Sequence, residues 1–354
     1  VDSVVVVGSG SLARNICFSL AVLADRPLTV TVVARDPAKS AEVAAIAAMR
    51  AALSGTPAGF RAATADLADT AALAEVLWAA APDWVLHCAS LQSPWEQLTH
   101  PSRWTELLSA AGFAATAPLH ALLAAQVAAA LRDSGVPARL LNACFPDAVN
   151  PILAGLGLPI TAGVGNVALL AAGLRGALGL KPADHLRVLA HHIHLNRPEA
   201  PADEVLAWVG DEPVGDVTAA LAALRGSARP ELNAVTGHAA ALLLLDLARG
   251  EVATNLPGPA GLPGGYPVCL APDGTLGLDL PPGWDRAAAV AWNDRAGRRE
   301  GIHVGETAVA FGGRTSAALS AVLPEFAGGF AVARLYEVAA AMLEVRENLR
   351  RSAA

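Results

Sequence analysis

Lysine is almost missing from this chain. Of 25 basic residues only Lys39 and Lys181 are lysines, and no basic run or stripe occurs. A nucleic-acid-binding surface is therefore not expected. Charge is scarce altogether, at 16% of 354 residues against 54% hydrophobic, so a disordered or solvated chain is excluded. The Ala- and Arg-rich, Lys-poor composition suggests a GC-rich genome. Cysteine is limited to Cys17, Cys88, Cys144 and Cys269, widely spaced and without a CxxC pair. That usage suggests free thiols in a reducing, cytoplasmic compartment. No secretory leader is expected, because apolar strand character starts within the first five residues.

Two uncharged stretches, 112–131 and 148–174, are long enough to cross a bilayer. Pro151, Pro159, Gly155, Gly157, Gly163 and Gly165 cut the second into short pieces, and the first contains Pro118 and His120. Both read as core elements, so no membrane partner is expected.

What is present is strand–helix alternation. Val4–Val7 is a β-branched run typical of a parallel strand covered on both faces. It leads into Gly8-Ser9-Gly10-Ser11-Leu12-Ala13 and a helix to about residue 24. Strands at 29–34, 60–65, 84–88 and 139–144 alternate with helices at 37–53, 70–80 and 117–132, with a further helix at 104–111. A sixth strand is expected at 160–162. This is the spacing of a doubly wound parallel α/β sheet. The second half predicts helices at 167–178, 216–224, 231–249, 285–299 and 329–349. It also predicts a strand at 186–190 and a hairpin of 266–270 with 275–278 across Pro272-Asp273-Gly274. The reading is a dinucleotide-binding Rossmann domain over 1–155 and an α+β substrate domain over 156–354.

Gly8-x-Gly10-x-x-Ala13 sits between a strand and a helix. Gly8 allows the tight turn, Gly10 the close approach of a pyrophosphate, and Ala13 close helix packing. Candidate cofactor contacts are Gly8, Ser9, Gly10, Ser11 and Leu12. After the second strand, Arg35 can pair with a ribose 2′-phosphate and Ser40 can donate to it, favouring NADP, with NAD as the alternative if Asp36 turns to the ribose. After the third strand, Asp66 is a candidate for the adenine end or for capping the next helix. After the fourth, Ala89 and Ser90 lie at the level of the nicotinamide ribose, where Ser90 can also be an ordinary turn residue.

The order of parts resembles the lactate/malate dehydrogenase superfamily. The resemblance is carried by the opening Gly8–Ala13 turn, by His87-Cys88-Ala89-Ser90-Leu91-Gln92-Ser93-Pro94, where the family has a mobile substrate loop, and by Asn142-Ala143-Cys144-Phe145-Pro146-Asp147. It continues in Val188-Leu189-Ala190-His191-His192, where the family has a strand leading to its catalytic histidine, and in the hairpin from Tyr266. It implies a nicotinamide-dependent oxidoreductase, with a small-molecule substrate and His192 as acid/base. The sequence departs from the family where Ala168–Ala172 lacks the Asp and the substrate-binding Arg. It has Phe145 where the family has Asn, and it keeps only Arg103 as a late loop arginine. A simple 2-hydroxy acid bound in the family's way is not expected.

Arg35, Asp66–Asp69 and Pro82–Val85 also look similar to saccharopine-dehydrogenase-like and extended short-chain reductases. Neither Tyr266 nor Tyr336 has the following Lys that the short-chain mechanism needs. On a strand, His192 and His194 would share one face. His192, His194 and Asn166 are the catalytic candidates; Asn166 can instead cap its helix. The histidines can alternatively be structural, or bind a metal with Cys144 or His238, although no metal is the primary reading. The other functional reading is a non-redox lyase, hydrolase or cofactor-sensing module on the same fold. A homo-oligomer is expected, with residues 239–247 as a candidate face.

Overall fold

A computed structural model describes residues 2–271 and 274–351. Strand β1 (Asp2–Val7) is followed by α1 (Ser11–Leu23), β2 (Leu28–Ala34), α2 (Pro37–Ser54), β3 (Ala58–Thr64), α3 (Thr70–Ala80) and β4 (Trp84–His87). Then come α4 (Glu96–Thr99), α5 (Arg103–Ala111), α6 (Ala117–Ser134), β5 (Arg139–Asn142), α7 (Pro146–Gly155) and β6 (Ala162–Gly163). The six strands form one parallel sheet in the order β3-β2-β1-β4-β5-β6. This is the doubly wound dinucleotide-binding order. The proposed division at 155/156 falls inside the span of this sheet.

The valine run of β1 is continuous because both its faces are covered. Val4 and Val6 pack with Ile16, Leu20 and Val43 on one side. Val5 and Val7 pack with Leu73, Leu77 and Val127 on the other. Strand alternation sends successive valines into two separate cores.

Past the sheet lie α8 (Asn166–Leu178), β7 (Leu186–Leu189), β8 (Leu206–Val209), β9 (Glu212–Pro213), α9 (Val217–Ala220), α10 (Ala222–Gly226) and α11 (Leu232–Arg249). They are followed by β10 (Ala253–Pro257), β11 (Gly265–Leu270), β12 (Leu276–Leu278), α12 (Arg286–Glu300), β13 (Ile302–Val304), β14 (Ala308–Phe311), α13 (Gly313–Ser320), β15 (Gly329–Ala331) and α14 (Leu335–Arg351). Three antiparallel three-stranded sheets result. The β11–β12 hairpin forms as expected; Pro272 and Asp273 of its turn lie outside the described residues.

Several expectations are corrected here. The helix expected over 216–224 is broken into α9 and α10. The segment 329–349 opens as strand β15, paired to β14, before α14 begins. Helix α7, which carries Asp147 and Asn150, was not expected. Strand β7 stops at Leu189, Ala190 makes a lone bridge to Gly265, and His192–Leu195 forms a 3-10 turn. At three residues per turn His192 and His194 do not share a face.

Residues 239–247 are not a free face. Ala240, Ala241, Leu243, Leu244, Leu245 and Leu247 are buried, and Leu242 alone of the large residues there is exposed. Helix α11 packs on α1, where a Cβ on Gly237 would come within 2.5 Å of the Asn15 Cβ, so only glycine allows the approach. The segment Phe113–Ser134 is long and apolar enough to cross a membrane, but 78% of its most apolar window is buried inside the protein.

Candidate active site

A cleft of about 930 Å³ runs along the carboxyl ends of the parallel strands. Ligands bind sheets of this kind at that edge. Gly8, Ser9, Gly10, Ser11, Leu12, Arg35, Asp66, Ala89, Ser90, Asn166 and His192 all line it. Ser40 and His194 do not. Ser40 is fully buried and its hydroxyl donates to the Pro37 carbonyl oxygen. His194 is buried against Trp292, with ring centroids 5.0 Å apart. Its Nδ1 accepts the His191 N–H at 2.8 Å and its Nε2 lies 3.0 Å from the Asp203 carbonyl oxygen, so both ring nitrogens are used internally. Burial drives its pKa down to about 3.

The glycine turn has the shape a dinucleotide needs. Gly8 has φ +126°, and an added Cβ would meet the Cys88 carbonyl carbon at 3.1 Å, so this position must be glycine for β1 and β4 to close. In front of Gly10 an added Cβ would find nothing within 4 Å. The first turn of α1 has no side-chain cap and no acidic residue. Its unpaired N–H groups and the positive end of the helix dipole suit an anion there.

Arg35 is exposed at the far end of the cleft. Asp36 is turned to the backbone instead, where it caps α2 by accepting from the N–H groups of Ala38 and Lys39. Asp66 accepts from the Ala68 N–H in a local turn, and Asp69, not Asp66, caps α3. Asn166 is likewise not a cap, since α8 has Gly165 in that position and no side-chain cap.

At the other end stands His192. Its ring stacks on Phe113 with centroids 4.5 Å apart and meets the edge of Phe145 at 5.1 Å. Its Nδ1 is hydrogen-bonded to Glu300 Oε1. Glu300 Oε2 lies 3.0 Å from His191 Nδ1. Burial by itself would lower the His192 pKa, but the Glu300 charge and hydrogen bond, aided by Asp147, raise it above the ordinary value. Glu300 feels the opposite balance. Burial favours its neutral form, yet the two imidazoles hold it well below the usual carboxylate range. Asp147 braces the arrangement. It accepts the His192 backbone N–H at 2.9 Å and a hydrogen bond from Asn166 Nδ2.

Helix α8 offers neither an Asp nor an Arg to the cleft, so the carboxylate partner of His192 comes from α12. The nearby cation is Arg229, just before α11. Its Nη2 donates to the Leu195 carbonyl oxygen at 2.5 Å and to Asn196 Oδ1 at 2.9 Å. It lines the cleft and has no carboxylate partner among the described residues. Arg103 does not line the cleft. The metal set of His192 and His194 with Cys144 or His238 is not assembled, and no group of three or more candidate ligands is brought together among the described residues.

Sequence reading missed Glu300, Arg229 and Phe113 as site residues. Glu300 lies 108 positions from the histidine it holds, and nothing local marks it.

No protein-family model matches this chain, and neither does any curated protein sequence. Solved structures do match. The fold is that of the lactate and malate dehydrogenases: a six-stranded parallel Rossmann sheet followed by antiparallel sheets. The malate dehydrogenase of Archaeoglobus fulgidus, solved with NADH, superposes with a TM-score of 0.57 at 14% identity, covering 84% of this chain and 98% of that one. A minor L-lactate dehydrogenase of Enterococcus mundtii gives 0.54 at 12% identity, over 84% and 96% of the two chains. The lactate dehydrogenase of Eimeria maxima, with NADH and oxamate, gives 0.52 at 14% identity, over 81% and 88%.

Proposed function

We propose that this protein is a nicotinamide-dependent oxidoreductase that interconverts a carbonyl and a carbinol on a small acidic metabolite. One observation carries the reading: a single cleft holds the uncapped helix start behind Gly10 at one end and a carboxylate-backed imidazole, His192, at the other. The residues of the turn fit a dinucleotide diphosphate, and the nicotinamide of such a cofactor would supply or accept the hydride. Gly8–Leu12 bind the diphosphate through backbone N–H groups. Asp147 fixes the backbone at His192, and Glu300 fixes its ring. Because Nδ1 is engaged by Glu300, the proton passes through Nε2: His192 donates it to the carbonyl oxygen during reduction and takes it back during oxidation. Phe113 and Phe145 cover the ring and exclude water. Arg229, a guanidinium without a carboxylate partner, binds the acidic group of the substrate, and Asn166 offers a further polar contact.

The test is oxidation of NADH and NADPH against a panel of 2-oxo acids, with cofactor binding followed by calorimetry. His192→Asn is expected to bind cofactor as the parent does and to lose roughly 10²- to 10⁴-fold in turnover. Unchanged turnover removes His192 from the mechanism. Cofactor binding without turnover of any panel member favours the non-redox reading on the same fold.

Cofactor choice turns on Arg35. Ser40 is committed to Pro37 and Asp36 to its helix cap, so Arg35 would meet an adenosine ribose there without competition from the Asp36 carboxylate. This supports NADPH, and the saccharopine-dehydrogenase-like reading of the cofactor half. The NADH bound by the dehydrogenases of similar fold favours NAD as the second reading. Arg35→Ala should weaken NADPH by roughly tenfold to a hundredfold, as for a lost charge-assisted pair, and leave NADH nearly unaffected. Equal losses for both cofactors would argue against a 2′-phosphate contact. Homo-oligomeric assembly and a cytoplasmic location remain part of this proposal.

A further inference from the structure

His120 stands on the cleft-facing side of α6, in a helix otherwise almost entirely apolar, and is only 3% exposed. Its Nδ1 lies 2.7 Å from Ser90 Oγ. The Ser90 hydroxyl has one proton and two acceptors within reach, the Gln92 carbonyl oxygen at 2.9 Å and His120 Nδ1. Ser90 Oγ itself accepts the Gln92 N–H at 3.0 Å. When the hydroxyl proton goes to Gln92, His120 fills the remaining lone pair by donating from Nδ1, and the Gln92 carbonyl oxygen is satisfied as well. In that arrangement Nδ1 carries hydrogen and Nε2 is a bare acceptor. Burial, with His192 and His87 nearby, takes the pKa of His120 down to about 3, so the ring carries one hydrogen and not two near neutrality. Nε2 is buried and has no hydrogen-bond partner among the described residues.

A buried acceptor left without a donor is unfavourable, and it is tolerated where a ligand supplies the missing group. The ring packs beside Phe113 at 5.3 Å and Phe145 at 6.3 Å between centroids. These are the two rings that also hold His192. His120 and His192 thus share this aromatic pair and line the same cleft.

We propose that His120 Nε2 is a specificity element that accepts a hydrogen bond from a hydroxyl or amide N–H borne by the substrate beside its reacting carbonyl. This rests on the oxidoreductase reading. It narrows the substrate class to 2-oxo or 2-hydroxy acids carrying a second donor group.

Two matched pairs test it: pyruvate against hydroxypyruvate, and 2-oxobutanoate against 4-hydroxy-2-oxobutanoate, in the full-length protein with NADH or NADPH. The hydroxylated member should be preferred in kcat/KM by roughly tenfold to a hundredfold. His120→Phe, which keeps a ring but no acceptor, should bring that ratio towards one, and His120→Gln, which restores an acceptor, should recover part of it. A preference that survives in His120→Phe, or none in the parent, overturns the proposal. Imidazole ¹⁵N spectroscopy of the unliganded protein gives a readout independent of turnover. His120 should show the Nδ1–H tautomer at neutral pH, reverting to a mixture in Ser90→Ala; an Nε2–H tautomer or an imidazolium overturns the proposal even where no 2-oxo acid is reduced. Absence of all turnover with the Nδ1–H tautomer intact, and with a perturbed Nε2 resonance on adding hydroxypyruvate and NADH, defeats the reductase reading alone and leaves the recognition role standing. No perturbation by either hydroxylated acid in that case defeats both.

Discussion

Glu300→Gln is expected to move the pH midpoint of carbonyl reduction downward by between about one and three units, the range for losing an adjacent opposite charge. In the parent, the raised His192 pKa keeps the imidazole protonated above its ordinary range near 6.5. The proton-donating form is present below that raised value, and reduction fades as pH rises through it. Glutamine keeps a hydrogen-bonding oxygen for Nδ1 but removes the negative charge. Burial then acts on His192 with less opposition, in the direction it acts on His120 and His194, both held at about 3. Reduction at neutral pH should fall steeply and recover as the solution is acidified. Oxidation, which needs the neutral imidazole, should be retained. Rates in both directions across pH 5 to 9 decide it; an unmoved midpoint would mean that Glu300 serves only to hold the fold together. Removing the carboxylate altogether is a less clean test, because loss of one partner from a buried pair costs several kcal/mol of stability.

Gly10→Val should abolish dinucleotide binding while leaving the fold intact. Gly10 has φ −74° and ψ −177°, extended backbone that valine adopts without strain, and its added Cβ would meet nothing within 4 Å. The only stability loss expected is that of a poorer helix cap, about 1 kcal/mol. The valine methyls would occupy the space where a diphosphate must meet the backbone, so affinity for NADH and NADPH should fall at least roughly a hundredfold, about the 3 kcal/mol of two lost charge-assisted hydrogen bonds. Gly8→Ala does not separate these effects, because φ +126° and the wall of Cys88 and Ala89 strain the backbone itself. Calorimetry with each cofactor, alongside thermal unfolding, is the measurement. Normal binding by a folded Gly10→Val protein would remove the diphosphate from this corner and with it the proposed function.

The glycine-turn end of the cleft was legible because it is local. A strand, a glycine turn and a helix start within about ten consecutive residues, and hydrogen-bond direction there follows from backbone geometry. Even so, Ser40 was misjudged as a cleft residue, since the helix turn that draws its hydroxyl to Pro37 also carries it inward. The substrate end was only partly legible. His192 stood out at the end of an apolar strand, but His194 was expected on the same face, and only the 3-10 turn after Leu189 separates their directions.

Sequence alone determined the alternation of strand and helix, the two-faced burial of Val4–Val7 and the small residues of the phosphate turn, because each depends on neighbours a few positions away. Tertiary structure alone decided that Glu300 reaches His192 and raises its pKa, that Arg229 stands without a carboxylate among the described residues, and that Ser90 meets His120 at Nδ1. Those pairings join elements far apart in the chain, and the protonation state of a buried group is set by what folding brings within a few ångströms of it, which no local pattern encodes.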